Sequence, residues 1–201
     1  GSRILYFSSS EIYGDPTPDA IPTKEDYKGN VSCLGPRACY DESKRMGETM
    51  CYIYSEYFDT DVSIVRPFNI YGPGMRERDY RVLPNFASAI KAGRPLPIYA
   101  SGRQTRTYCY LADAMIGFLQ ALLKGRSGEP YNIGNPTPEV SVHELADIIE
   151  RVISAPVERA SLEYPDTYPG DEPQRRCPDI SKAASELGYA PQVDLETGLR
   201  Q

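Results

Sequence analysis

Five short stretches of extended pattern, at about residues 4–8, 62–67, 96–99, 105–110 and 129–134, alternate with stretches at about 36–58, 82–92, 113–123, 142–153 and 179–187 in which apolar residues recur every three or four positions. Short apolar runs bounded by turn residues predict buried strands, and the 3.6-residue period predicts helices. Strands alternating with helices predict an α/β fold built on a parallel sheet. The longest helical stretch has Pro36 near its start, where a missing amide is harmless, and predicts a buried stripe of Met46, Met50, Ile53, Tyr54 and Tyr57. Ser141 and Glu144 make a capping-box pattern ahead of Leu145, Ile148 and Ile149. The stretch from Tyr164 to Pro178, rich in Pro, Asp and Arg, predicts a long loop able to close over a substrate.

Two segments carry candidate chemistry. The run Ile4-Leu5-Tyr6-Phe7 ends in Ser8-Ser9-Ser10-Glu11 and a turn glycine, Gly14. It predicts a strand that delivers Ser9, Ser10 and Glu11 to its carboxyl end, where ligands bind in open α/β sheets. A plainer reading is that these hydroxyls only cap a turn. Tyr40 and Lys44 lie four residues apart, so on a helix they share a face. A neighbouring ammonium favours phenolate over phenol, which lets such a pair act as a base toward a hydroxyl. An ordinary amphipathic helix would place the same residues together.

Composition narrows the partners. With 40% hydrophobic and 25% charged residues, 201 residues suffice for a real core and give no sign of disorder. The net charge of −6, from 22 basic and 28 acidic residues, argues against nucleic acid or an anionic membrane and for a small ligand. Arg76, Arg78, Arg81, Arg94, Arg103 and Arg106 cluster in a way that suits a diphosphate; a solvated charged loop is the alternative. Cys33, Cys39, Cys51, Cys109 and Cys177 are odd in number and widely spaced, which disfavours both a metal site and a disulfide framework. No apolar run approaches the roughly 20 residues of a membrane span, and a reducing cytoplasmic setting fits. His143 is the only histidine and is expected on a helix surface, which makes a histidine-based nucleophilic triad unattractive.

Further motifs follow in order: Arg66-Pro67-Phe68-Asn69-Ile70-Tyr71-Gly72-Pro73, Arg81-Val82-Leu83-Pro84-Asn85-Phe86, Gln104-Thr105-Arg106, Tyr131-Asn132-Ile133-Gly134-Asn135-Pro136, and Asp171-Glu172-Pro173-Gln174-Arg175-Arg176-Cys177-Pro178-Asp179-Ile180. With the serine strand and the Tyr-x3-Lys helix, this series resembles the extended short-chain dehydrogenase/reductases of the epimerase/dehydratase type, most closely the UDP-glucuronate decarboxylases. The resemblance implies a truncated Rossmann-like doubly wound parallel sheet with a smaller C-terminal substrate-binding α/β subdomain. Residues 1–70 would be the C-terminal part of the NAD-binding domain. Residues 71–201 would mainly hold the nucleotide sugar, with about 105–134 returning to the first domain. It also implies NAD as cofactor, a nucleotide-sugar substrate, and a homodimer formed through the helix around 36–58. The family's glycine-rich phosphate loop and its acidic ribose-binding residue are not in the sequence, and Asp194-Leu195-Glu196-Thr197-Gly198 reads as the start of a closing helix. Both ends are therefore expected to be truncated relative to the family, and the 201-residue chain alone to be inactive.

Residue by residue, the resemblance makes Tyr40 the base at the sugar 4-hydroxyl, Lys44 its tuning cation and a nicotinamide-ribose ligand, and Ser9 the third member, with Ser10 beside it. It gives Glu11 a catalytic place: dehydratases carry Asp-Glu here and many epimerases a small or apolar residue, whereas Ser-Glu matches decarboxylases. Arg176, in an Arg-x-Pro motif, would hold the substrate carboxylate or aid protonation, with Arg175 as rival. Asn69, Arg81, Asn85, Tyr99, Gln104 and Arg106 match positions for sugar, uracil, ribose or diphosphate, while Ile70 and Arg81 would also border the cofactor. Gly74 and Ala100 depart from the most similar pattern and leave base specificity open. A 4-epimerase, a 4,6-dehydratase and a non-catalytic nucleotide-sugar-binding chain are the competing readings.

Overall fold

The computed structural model describes residues 2–77, 79, 81–164 and 173–201. Arg78 and most of the predicted loop between Tyr164 and Pro178 lie outside the described residues. The elements, in chain order, begin with β1 (Ile4–Phe7), α1 (Ala38–Phe58), β2 (Val62–Pro67), β3 (Ile70–Tyr71), α2 (Val82–Lys91) and β4 (Leu96–Tyr99). Then come β5 (Thr105–Arg106), β6 (Cys109–Tyr110), α3 (Leu111–Lys124), β7 (Pro130–Ile133), β8 (Val140–Ser141), α4 (Val142–Ile153), β9 (Arg159–Leu162), β10 (Arg175–Arg176), α5 (Ser181–Leu187) and α6 (Leu195–Leu199).

The principal sheet has the order β1-β2-β7, all parallel, with Ile4 opposite Val62 and Ile64 opposite Pro130. Parallel strands need long crossovers, and helices α1 and α3 lie in them. Strand β2 is buried along nearly its whole length, which accounts for its unbroken Val-Ser-Ile-Val run. On this sheet Val65, Phe118, Tyr131, Ile133, Leu187 and Tyr189 form one core. A second core of Leu83, Phe86, Leu96, Ile98, Leu145, Ile149 and Leu195 joins α2, α4 and α6 to the parallel pair β4-β9. The architecture is α/β with parallel sheets, as the strand–helix alternation predicts.

Two expectations need correction. The extended run 105–110 is not one strand: Thr105 and Arg106 pair with Arg175, Arg176, Val140 and Ser141, whereas Cys109 and Tyr110 pair with Ile70 and Tyr71 in another sheet. Nor does the stripe on α1 pack within its own chain, for Met46 is 62% and Tyr57 74% exposed. Helix α1 touches the sheet with its other side, and Asp41 is its one fully buried residue. The capping box is present, with Ser141 Oγ accepting the Glu144 N–H at 3.2 Å and Glu144 Oε2 accepting the Ser141 N–H at 2.7 Å. Among the described residues no helix is long and apolar enough to cross a membrane.

Candidate active site

Strand β1 stops at Phe7, and Ser8, Ser9 and Ser10 leave its carboxyl end for a single 3-10 turn at Ser10–Tyr13. The Ser9 hydroxyl accepts the Glu11 N–H at 3.2 Å and so caps this turn, in keeping with the plainer reading of the serines. Gly14 closes the turn at φ 62°, where any side chain would collide with the Asn30 carbonyl. Beneath it lies a buried polar network. Tyr13 donates its hydroxyl to Asn132 Oδ1 at 2.8 Å and accepts from Arg66 Nη1 at 2.6 Å, while Arg66 Nε and Nη2 donate to Glu48 of α1 at 2.9 and 2.6 Å. Burial pushes the Tyr13 phenol up despite the opposing guanidinium, so it stays a neutral donor. The network ties the turn, β2, β7 and α1 together, which holds Glu11 in place against the start of α1.

A cleft of about 490 Å³ opens at this end of the sheet, lined by Ser9, Ser10, Glu11, Arg37, Tyr40, Asp41, Asn69, Ile70 and Arg81 among others. A second cavity of about 280 Å³ shares Glu11, Arg37, Asn69, Ile70 and Arg81, and adds Asn85, Tyr99, Gln104, Arg106, Tyr164 and Arg176. Of the residues predicted for the site, all except Lys44 line one of these two spaces. Tyr40 is 48% exposed. Lys44 donates from Nζ to the Phe7 carbonyl at 2.9 Å and sits 5.7 Å from the Tyr40 ring centroid, so its charge is anchored beside the phenol. Serine, tyrosine and lysine thus meet at the end of β1.

Glu11 stands where the two spaces join. Its carboxylate accepts from Arg176 Nη1 and Arg37 Nη2, and from Arg176 Nη2 at 3.0 Å. Burial alone would raise this carboxyl, but the Arg176 and Arg37 guanidiniums outweigh it and hold the group below its ordinary range. Alternation along β10 separates the two rival arginines. Arg176 turns inward and is 4% exposed, while Arg175 turns outward to Glu139 with bonds of 2.8 and 2.7 Å.

Other predicted residues are committed in different ways. Asn69, at φ 40°, donates its amide to the Thr107 carbonyl at 3.0 Å. Asn85 Nδ2 is buried with no hydrogen-bond partner among the described residues. Arg106 donates to the carbonyls of Thr105, Gln174 and Pro173, so its guanidinium anchors the returning chain as well as lining the cavity. Arg81 is held by Asp79 at 2.6 Å. Tyr99 stacks on Tyr164 with ring centroids 5.3 Å apart, and Gln104 reaches the Tyr164 hydroxyl at 3.4 Å. Within the predicted basic cluster, Arg76, Arg94 and Arg103 line neither space. Sequence reasoning missed Arg37 and Asp41. Arg37 lies three residues before Tyr40 on the same helix face, a signal that was there to be used.

A family model described as the NAD dependent epimerase/dehydratase family matches residues 1–134. The chain belongs to that family. It is 43% identical over its whole length to UDP-glucuronic acid decarboxylase 1 of Xenopus tropicalis, covering 46% of that protein. It is 41% identical over 199 residues to UDP-glucuronic acid decarboxylase 3 of Arabidopsis thaliana, covering 56% of it. The chain therefore spans about half the length of the curated relatives it matches. Among solved structures, the UDP-glucuronic acid 4-epimerase of Bacillus cereus in complex with UDP-glucuronic acid and NAD superimposes with TM-score 0.84 at 29% identity, over 98% of this chain and 59% of that one. The dTDP-glucose 4,6-dehydratase DesIV of Streptomyces venezuelae with NAD bound gives TM-score 0.79 at 28% identity, over 98% of this chain and 57% of the other.

NAD is the cofactor of this family. The residues present fit such a group: the cleft has room, a phenol at Tyr40 and an apolar wall at Ile70, with the Lys44 ammonium anchored nearby.

Proposed function

We propose that the protein carrying this chain decarboxylates UDP-glucuronate, by way of oxidation at C4, to UDP-xylose or its 4-keto precursor. The observation that carries the reading is Glu11 gripped by Arg176 at the junction of cleft and cavity. A Ser-Glu pair joined to an Arg-x-Pro arginine is the decarboxylase pattern, and the identity to UDP-glucuronic acid decarboxylases over the full chain supports it.

In this reading Tyr40 removes the C4 hydroxyl proton, Ser9 hydrogen-bonds the same oxygen, and Lys44 keeps positive charge beside the phenolate. NAD, when bound, supplies the hydride acceptor for that oxidation. A ketone at C4 stands β to the C5-linked carboxylate, so carbon dioxide can leave with its electrons passing into an enolate. Arg176 and Arg37 keep the surroundings of that developing oxyanion electropositive. Asn69, Asn85, Tyr99, Gln104, Arg106 and Arg81 hold the nucleotide, with Arg81 released from Asp79 toward phosphate. Residues 1–70 together with about 105–134 make the cofactor side, and the remainder the nucleotide-sugar side. The hydrophobic cores support this division in part, for Ala183, Leu187 and Tyr189 pack with Val65, Phe118 and Tyr131 on the cofactor side. The partner is a second copy meeting the exposed face of α1, and the setting is cytoplasmic.

The likeness to a 4-epimerase and a 4,6-dehydratase favours a second reading, in which the C4 ketone is formed and no carbon is lost. The protein at its native length, incubated with UDP-glucuronate and NAD, is expected to release carbon dioxide. Epimerised uronate without carbon dioxide would decide for the second reading. Tyr40→Phe is expected to lower turnover by about 100- to 10,000-fold with folding intact, and near-normal turnover would remove Tyr40 from the mechanism. The isolated 201-residue chain is expected neither to bind NAD tightly nor to turn over, which calorimetry with NAD tests directly.

A further inference from the structure

Conversion to UDP-xylose needs a proton that none of Tyr40, Ser9 and Lys44 supplies, a requirement that rests on the decarboxylase reading of the function. When the C5–C6 bond breaks, its electron pair stays on C5, delocalised onto the C4 ketone oxygen, and carbon dioxide leaves. A C5–H bond must then form. Tyr40 returns to the C4 oxygen the proton it took from there, so replacing a carboxylate by hydrogen draws one proton from the medium. The site needs a group to hold that proton and a route by which it is replenished.

We propose that Asp41 holds this proton and delivers it into the reaction cleft from a separate cavity behind Glu11. Asp41 follows Tyr40 in the first turn of α1 and is only 5% exposed, yet its Oδ1 has no hydrogen-bond partner among the described residues. A buried, unpaired carboxyl oxygen is unfavourable and calls for a reason. The carboxyl lies in a shared wall. On one side is the cleft containing Ser9 and Tyr40; on the other is a cavity of about 280 Å³ bounded by Gly14, Asp15, Asn30, Ser32 and Leu34. Among the described residues only Glu11, Arg37 and Asp41 line both spaces.

The groups facing Asp41 are Glu11 from the turn after β1, Arg37 and Glu42 from the start of α1, and Arg176 from β10. Burial is the largest influence and raises the carboxyl; the Glu11 charge adds to it, and the two guanidiniums oppose without cancelling. Glu11, gripped by the same guanidiniums, is held low. Burial thus disfavours the Asp41 carboxylate, whereas the guanidiniums favour the Glu11 carboxylate and keep it the charged partner of the arginines. Neighbouring carboxyls whose environments push them apart divide into an acid and a permanent anion.

The test uses the protein at its native length, turning over UDP-glucuronate in deuterium oxide. The unaltered protein is expected to place one deuterium on one face of C5 in the UDP-xylose. Asp41→Asn keeps the shape and removes the acid. It is expected to slow UDP-xylose formation by about 10- to 100-fold, to flatten the fall of rate at high pH, and to put deuterium on both faces of C5. Asp41→Glu is expected to restore single-face labelling. Should Asp41→Asn fail to fold by circular dichroism, Asp41→Ser is measured in the same way. Single-face labelling with an unchanged pH profile in the folded variant would overturn the role of Asp41 alone. No carbon dioxide from the unaltered protein would overturn the functional reading and, with it, this one.

Discussion

Glu11 and Asp41 lie side by side at the candidate site with opposite titration behaviour, and both signs can be measured. The folded value of Glu11 lies below its ordinary 4.5, so its stabilising contribution is complete above that value and lost as pH falls through the lower folded one. The folded value of Asp41 lies above its ordinary 3.8, so its contribution is complete below 3.8 and lost as pH rises through the folded one. Asp41→Asn is accordingly expected to be at least as stable as the unaltered protein at pH 7, with the difference shrinking toward pH 4. Urea unfolding at the two pH values checks this. A loss of more than about 2 kcal/mol at pH 7 would mean that the carboxylate is stabilised there and not merely tolerated. That Tyr40 and Lys44 share one face was legible from spacing alone, because four residues make about one helical turn whatever surrounds it. Arg37 was equally available by that rule, whereas Glu11 as its partner was not, since 26 residues separate them and only the return of the chain joins them.

At the scale of elements, the Tyr13–Arg66–Glu48 network decides where the turn bearing Glu11 sits relative to α1. Arg66 and Glu48 are almost wholly buried, and removing one partner leaves an uncompensated charge. Glu48→Ala is expected to cost about 3–5 kcal/mol, and Tyr13→Phe about 1–3 kcal/mol, both read from chemical denaturation. Glu48→Ala is expected also to lower turnover, because α1 carries Tyr40 and Lys44. Loss of stability without loss of turnover per folded molecule would separate the network from the site. Helices α2 and α4 appear at the positions their periodicity predicts, since a strong amphipathic stripe and a capping box act locally. The two-residue strands β3, β5, β6, β8 and β10 were invisible as separate elements. Pieces that short have no period of their own and exist only through the partners they find.

Across the described residues, exposed apolar side chains gather on two helices. Met46, Met50, Tyr54 and Tyr57 project from α1, and Met115, Ile116, Leu119 and Leu123 from α3. Contiguous exposed apolar surface on a folded protein marks a contact face. Under the proposed homodimer, Met50→Asp combined with Tyr57→Asp is expected to shift the native-length protein from dimer to monomer in sedimentation velocity. An unchanged sedimentation coefficient would move the interface away from α1. The periodicity of α1 could not tell a face buried within the subunit from one offered to a partner, because both read as the same apolar stripe.

Local rules were enough for the α/β class, the principal strands and long helices, and the Tyr-x3-Lys pair, because backbone periodicity and capping depend on neighbours a few residues away. Tertiary structure decided the rest. It turned Arg176 inward and Arg175 outward, set Arg37 and Arg176 on one carboxylate, split 105–110 between two sheets, and left Asp41 buried with an unpaired oxygen. Each of these follows from burial and charge meeting across long stretches of chain, where water is excluded and electrostatic interactions outweigh local preference.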